Sequence, residues 1–321
     1  MKPCLVYAPG YDITLFGLER LHPFDGRKFS RAWALLQQHF GDALETLHCT
    51  PSAPVSDDEL QAVHTRAYLE SLRSPQVVAK ALELGALRWL PRSLMESRLL
   101  RPMRLATAGT VMAAQHAVDQ RGLAMNLGGG YHHAFRDRGE GFCVYADVAL
   151  ALAMLRQRGA LAVADPVAII DLDAHRGNGV WSLCGADPGV RILDLYNAQI
   201  YPGLFDGEPD DWPFQVPIKS GTSGADYLEV LRVELPQFLD AGPTPKLAVY
   251  NAGTDVLDGD PLGHLAVSAA DVAERDRFVV RTLAARGIPV VAVTSGGYTR
   301  ESHRLVAQLA IEIVSAARAA G

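Results

Sequence analysis

Three polar side chains alternate in the stretch IIDLDAHRGNG, which spans residues 169–179: Asp171, Asp173 and His175. Successive side chains of a strand point to opposite faces, so we expect these three on one side, where they can converge on a single point. Carboxylates in so apolar a run are costly to bury without a compensating cation, which favours a metal site. The alternative is that an aspartate caps the next turn and that His175 is a core histidine.

A catalytic zinc site typically has three protein ligands and leaves one position for water. Asp173 and His175 would supply two of them, and the third is predicted to be Asp255, at the end of the apolar run KLAVYNAGTD. Two carboxylates and a neutral imidazole would cancel the charge of a divalent metal. Its water would then be less acidified than in an all-histidine site, so a general base should lie nearby.

Two adjacent histidines, His132 and His133, follow the glycine turn of MNLGGGYHH. Glycine permits close backbone approach, and adjacent histidines lack metal-ligand spacing, so acid–base chemistry is the predicted role. A core or surface pair is the alternative. Asp171 and Asn178 are the candidates to orient the two rings.

A tyrosine, Tyr298, follows another apolar run in VAVTSGGYTRE. Its phenol stays protonated at neutral pH and could donate a hydrogen bond to an oxyanion opposite the metal, although by itself it would be an ordinary loop residue. Together these groups suit metal-assisted hydrolysis. The glycine stretches have neither the spacing of a phosphate loop nor that of a serine nucleophile elbow, which disfavours nucleotide binding and serine hydrolysis.

The elements that must position these residues alternate between strand and helix. Short apolar runs predict strands at CLVYA, LAMNL, VAIIDLD, RILDLY, KLAVYNA and PVVAVTS, and helical patterns cover residues 147–158, 268–286 and 299–320. The alternation predicts an α/β fold, with an open, mainly parallel sheet and helices on both faces. Ligands of such folds sit beyond the carboxyl ends of the strands. The first hundred residues are less regular, and we expect one domain over residues 1–321.

The composition limits the kinds of molecule that the protein is expected to bind. With 49% apolar and 21% charged residues the chain can bury a large core, and its net charge of -6 argues against nucleic-acid binding. Four cysteines far apart in sequence indicate reduced thiols. The apolar runs are too short for a signal peptide or a membrane span, so we predict a cytoplasmic protein.

Four motifs, GGGYHH, IDLDAHRGNG, YNAGTDVLDGDPLG and TSGGY, resemble those of the zinc-dependent histone deacetylase superfamily. The stretches GLERLHPFD, VHTRAYL, RGEGFCVYADVALA and LYNAQIYPG extend the likeness over nearly the whole chain, most closely to the class IV, histone deacetylase eleven-like branch. The resemblance implies an arginase/deacetylase fold. It implies a catalytic Zn²⁺ at the three predicted ligands, with His133 as general base and acid, His132 paired to Asp171 as electrostatic partner, and Tyr298 polarising the scissile carbonyl.

The resemblance also implies a substrate tunnel and a second cation. Gly141 and Phe142 would form one wall around the lysine stem and Tyr201 the other, where many relatives carry Phe. A structural K⁺ would be held by Asp171, by main-chain oxygens of Asp173 and His175, and by Asp194. Asn178 stands where class I relatives have Asp, so the pKa of His133 should be less elevated.

The leading hypothesis is a zinc-dependent hydrolase of N-acyl-lysine in proteins or peptides, a deacetylase that also removes long-chain fatty-acyl groups. The alternatives are an acetylpolyamine or other small-molecule amidohydrolase and a non-catalytic acyl-lysine binding module, which the intact site set disfavours. Iron in place of zinc stays open. Two further alternatives stay open. Lys28 lies either along a product channel or at the surface. The acidic stretch at 205–212 either attracts the substrate or is only a solvated loop. Cys143 is expected to be a packed small residue rather than a redox switch.

Overall fold

The computed structural model describes residues 1–14, 23–203 and 213–320. Its eight strands form one sheet in the order β2-β1-β3-β8-β7-β4-β5-β6, and every neighbouring pair is parallel. The strands are β1 Cys4–Val6, β2 His48–Cys49, β3 Leu123–Asn126, β4 Val167–Asp171, β5 Val190–Asn197, β6 Gln215–Ile218, β7 Leu247–Asn251 and β8 Val290–Val293. The predicted open α/β sheet is therefore confirmed.

Twelve α-helices are present in the described residues. They are α1 Lys28–Phe40, α2 Leu44–Leu47, α3 Asp57–Leu60, α4 Arg66–Ser71, α5 Pro75–Ala81, α6 Arg92–Met95, α7 Arg101–Gln120, α8 Asp147–Gln157, α9 Asn178–Cys184, α10 Gly224–Asp240, α11 Ala269–Ala285 and α12 Ser302–Ala319. Helix α11 begins at a capping box, in which the side chains of Ser268 and Asp271 each accept a hydrogen bond from the other's backbone N–H. None of these helices is long and apolar enough to cross a membrane.

The sheet separates two apolar clusters, because alternate side chains of each strand enter opposite faces. Ile170 belongs to the cluster that includes residues of α1 and α10 to α12, whereas Ile169 belongs to the cluster that includes residues of α4 to α9. All six predicted strands are found. The two missed strands lie at the sheet edges, where β2 has two residues and β6 carries Pro217, which only an edge position tolerates well.

The polar triplet that follows β4 lies differently from the prediction. Strand β4 ends at Asp171, so Asp173 and His175 are in the loop beyond it rather than on the strand. The alternation of side chains nevertheless continues, since Leu172 and Ala174 are both buried in one apolar cluster. The loop thus presents its polar side chains together at the carboxyl edge of the sheet.

Candidate active site

Asp173, His175 and Asp255 meet beyond the carboxyl ends of two neighbouring strands. Strands β4 and β7 pair in register, and the loop that follows each supplies part of the group. The potential ligand atoms of the three residues all lie within 4.8 Å of one another, and the three side chains are buried. His175 Nδ1 is 3.1 Å from an oxygen of Asp173 and 2.9 Å from one of Asp255. The structure thus brings together the three predicted ligands.

The charges of this triad require a cation. Burial disfavours two adjacent carboxylates, and burial together with Asp173 raises the pKa of Asp255. Burial also opposes a charge on His175, yet the two carboxylates raise its pKa to about 10. A proton on His175 therefore compensates the carboxylates, and a divalent metal would compensate them more fully once it displaced that proton. Two carboxylates and an imidazole form a donor set that fits zinc.

Backbone donors fix both carboxylates. Ala174 N–H donates to Asp255 at 2.9 Å, and Gly296 N–H donates to Asp173 at 2.8 Å. A Cβ atom at Gly296 would lie only 2.3 Å from an Asp255 oxygen, so the close approach of this loop requires glycine. Such second contacts orient metal ligands.

The two histidines have opposite protonation tendencies. His132 Nδ1 is 2.9 Å from Asp171 Oδ2, and His133 Nδ1 donates to Asn178 Oδ1 at 2.7 Å. Although burial opposes its charge, Asp171 and Asp173 raise the pKa of His132 to about 9. Burial, followed by His132 and His175, lowers the pKa of His133 well below its usual value. A neutral imidazole therefore lies beside a cationic one at pH 7, with ring centroids 4.0 Å apart.

Asp147 holds the glycine turn that carries this pair, a role that its sequence pattern did not predict. Its buried carboxylate accepts hydrogen bonds from Gly130 N–H at 2.9 Å and from Tyr131 N–H at 2.8 Å. Gly130 has φ 78°, in the left-handed region. The sequence did contain a signal, an acidic residue in the first turn of the apolar helix α8. Such a residue is equally typical of an exposed helix start, where it interacts with the helix dipole.

Tyr298 lies beside the metal-ligand triad. Its ring centroid is 6.3 Å from that of His175 and 5.8 Å from that of Phe142, and its backbone N–H donates to Asp260 at 2.8 Å. Burial, together with Asp255 and Asp173, raises the pKa of the phenol well above its ordinary value. The hydroxyl is therefore a proton donor throughout the neutral range.

Two of the three predicted wall residues, Tyr201 and Gly141, lie against His133, and the third, Phe142, lies against Tyr298. The Tyr201 ring centroid is 5.2 Å from that of His133, and a Cβ atom at Gly141 would lie 2.4 Å from the same imidazole. Phe142 has φ 67°, unusual for a residue with a side chain, and its ring faces Tyr298. Cys143, next along the chain, is a buried free thiol whose Sγ donates to Gly141 O, consistent with the packing role. The acidic stretch 205–212 lies outside the described residues.

Asp194 lies beside Asp171 on the neighbouring strand β5. One of its oxygens accepts from Gly177 N–H and from the Trp181 indole, while the other, Oδ1, is buried without a hydrogen-bond partner. Burial and then Asp171 raise the pKa of Asp194 to about 8. The uncompensated oxygen fits a bound cation at this position.

Two buried cations support the loops of the site. Lys28 is fully buried, and its Nζ donates to Ser295 O at 2.6 Å and to Gly296 O at 3.3 Å, so the surface alternative for it is wrong. Arg275 is also fully buried, and its Nη1 donates to Leu172 O at 3.1 Å and to Gly253 O at 2.7 Å. It thereby ties together the loops that carry Asp173 and Asp255. An arginine in the amphipathic helix α11 gave no sequence signal for this role.

An apolar cavity extends from the two histidines into the region of the short helices. Its empty volume is about 860 Å³, a figure that includes the part open to solvent. Much of the wall comes from residues 82–103, which contain a 3₁₀ helix at Gly85–Trp89 and a π-helix at Glu96–Leu100. The apolar lining from this segment comprises Leu82, Leu84, Leu87, Leu99 and Met103. His132, His133 and Tyr298 also border the cavity.

Comparison with known proteins gives matches over most of the chain. A model of the histone deacetylase domain matches residues 22–314. The chain is 40% identical over 309 residues to Histone deacetylase 2 of Arabidopsis thaliana, covering 95% of this chain and 77% of that protein. It is 28% identical to an acetoin utilization protein of Bacillus subtilis, covering 91% and 76%, and 25% identical to Histone deacetylase 8 of Xenopus laevis, covering 76% and 75%.

Proposed function

The chain belongs to the histone deacetylase domain family, and on that premise we propose that it hydrolyses the amide of N-acyl-lysine in proteins or peptides. The observation that carries the proposal is one convergence of groups. The buried metal-ligand triad includes His175, whose ring centroid is 6.0 Å from that of the neutral His133 and 6.3 Å from that of the protonated Tyr298. A cationic His132 lies beside His133. Such an arrangement suits the addition of water to an amide carbonyl.

Asp173, His175 and Asp255 would hold the catalytic metal, for which zinc is proposed. When bound, zinc polarises a carbonyl oxygen and lowers the pKa of water. His133 accepts the proton of the attacking water at Nε2, because its Nδ1 already donates to Asn178. Tyr298 donates its hydroxyl hydrogen bond to the carbonyl oxygen as negative charge develops there. His133 then delivers the proton to the departing lysine amine.

The positive charge of His132 sets the protonation state of His133. His132, held by Asp171, stays cationic at neutral pH and keeps His133 neutral and ready to accept a proton. We also propose a structural K⁺ at Asp171, Asp194 and the main-chain oxygens of Asp173 and His175. The buried oxygen of Asp194 that has no hydrogen-bond partner supports it.

The proposed acyl group extends beyond acetyl. The leucines and Met103 of segment 82–103 offer an apolar surface next to the two histidines, where the acyl chain of a bound substrate would leave water. This cavity supports a medium- or long-chain acyl-lysine as substrate, and assignment to the class IV branch, which the sequence motifs resemble, is likewise proposed. We further propose that residues 1–321 act as one catalytic domain and that the protein works in the cytoplasm.

Hydrolysis tests the proposal directly. The purified protein is incubated with one peptide whose lysine carries an acetyl, octanoyl or myristoyl group, and with acetylated polyamines, before and after chelation and after zinc is restored. We expect release of acyl groups from the peptides that stops on chelation and returns with zinc. Turnover that survives complete metal removal, or turnover of polyamines but of no peptide, would contradict the proposal.

A further inference from the structure

Tyr201 makes a contact that a phenylalanine in its place could not make. Its hydroxyl donates a hydrogen bond to Glu140 Oε2 at 3.0 Å. Glu140 directly precedes Gly141 and Phe142, the opposite wall of the proposed channel, so the bond joins the two walls. The Tyr201 ring lies 5.2 Å from that of His133, so the bond fixes a ring that stands beside the proposed general base.

Glu140 is itself held in place from other directions. Its second oxygen, Oε1, accepts from Arg138 Nε at 2.6 Å, and the Arg138 guanidinium lies 3.6 Å from the ring centroid of Phe135. The backbone turns tightly here, since Cys143 N–H donates to Glu140 O at 2.8 Å. A carboxylate fixed on both sides is a defined acceptor rather than a freely moving surface group.

The phenol of Tyr201 remains a donor over the whole neutral range. Its partial burial and then the charge of Glu140 raise its pKa above the ordinary value of tyrosine. Both side chains are nevertheless partly accessible, since the residue Tyr201 is 41% exposed and the Glu140 side chain 29% exposed. The bond is therefore reachable by a substrate and has little weight in the stability of the fold.

We propose that Glu140 is a positioning residue for substrate binding: through its hydrogen bond it holds Tyr201 against His133 and so sets the width of the channel that receives the acyl-lysine stem. The inference rests on the proposed function. It assigns to the wall tyrosine a role for its hydroxyl, which is separate from the contribution of its ring.

The test measures kcat and KM for acyl-lysine peptides in Tyr201→Phe, Glu140→Ala and the double variant. Each single variant is expected to raise KM by about 3- to 10-fold, the range for loss of one hydrogen bond, with kcat within about twofold. The double variant should be no worse than either single variant, because all three lack the same bond. Glu140→Gln, whose amide oxygen can still accept, should restore most of the loss.

Glu70→Ala is the matched control, because it removes another hydrogen-bonded surface carboxylate, the partner of Arg66. It should leave KM unchanged, and the melting temperatures of all variants should agree with that of the wild type. An unchanged or lowered KM in Tyr201→Phe, or a double variant whose loss is the product of the single losses, would overturn the inference. A wild-type protein that hydrolyses none of the peptides would instead refute the proposed function itself.

Discussion

His133 borders two regions of opposite chemistry, the triad of Asp173, His175 and Asp255 and the apolar cavity lined by Leu87 and Leu99. The triad is made of charged groups that short loops carry at the ends of neighbouring parallel strands. The cavity is made of apolar side chains on short helical turns outside the sheet.

The triad and the cavity are suited to different tasks in the proposed reaction. The triad region has fixed backbone donors to each carboxylate and tolerates no added atom at Gly296, so it can hold charge in one geometry. The leucine side chains of the cavity contribute apolar contact area, so its shape can select an acyl group while the chemistry stays the same. We therefore expect substitutions in the two regions to change different kinetic quantities.

Loss of a metal ligand should have the largest effect. Asp255→Asn removes a charge from the triad and should weaken zinc binding and lower kcat/KM for every acyl group by at least about 10³-fold. Zinc affinity is measured by competition with a chelating dye, and hydrolysis by peptide assay. Asp258→Asn makes the same chemical change on an exposed side chain three residues later and should change neither quantity. Retention of wild-type zinc affinity in Asp255→Asn would contradict the ligand assignment.

Removal of the oxyanion donor should have the next largest effect. Tyr298→Phe keeps the ring near His175 and Phe142 but loses the hydroxyl, so kcat should fall by about 10²- to 10³-fold with zinc affinity unchanged. Tyr7→Phe, at a buried tyrosine that stacks on Trp33, is the control. Full activity of Tyr298→Phe would refute the role given to this phenol.

A cavity-filling change should alter selectivity. Leu87→Phe adds volume to the wall and should lower kcat/KM for a myristoyl-lysine peptide by about 10- to 100-fold, because a long chain must then displace packed side chains. Hydrolysis of the acetyl peptide should stay within about threefold of wild type. Leu90→Phe makes the same change outside the lining and serves as control. A parallel fall for both peptides would contradict the division of tasks.

The smallest predicted effect is on the pH dependence of the free energy of unfolding. His64 is buried and its Nε2 accepts a hydrogen bond from Ala146 N–H, and burial lowers its pKa to about 4. The unfolded chain binds the proton at a pKa near 6.5, so the stabilisation is complete above that value and is lost as pH falls toward 4. Between pH 7.5 and 5.5 wild type should lose about 1 kcal/mol more than His64→Gln in urea unfolding. Equal losses would show that His64 is not kept neutral by the fold.

The sequence predicted the polar region far better than the apolar one. Asp173, His175 and Asp255 come after strong apolar strands, and the loops after parallel strands lie at one edge of a sheet, so their meeting was predictable. The residues near Leu87 and Leu99 lie on short 3₁₀ and π turns without a regular period, so nothing in their pattern indicated a shared cavity. Arg275 was missed because burial of its charge depends on carbonyls of two distant loops, which only the folded chain brings together.

The most direct test of this account compares one ratio in two variants. The ratio is kcat/KM for myristoyl-lysine divided by kcat/KM for acetyl-lysine in the same peptide. Tyr298→Phe should lower both rate constants together and leave the ratio at its wild-type value, whereas Leu87→Phe should lower the ratio by about 10-fold or more. A ratio that changes in Tyr298→Phe, or that is unchanged in Leu87→Phe, would contradict the separation of chemistry from acyl selection.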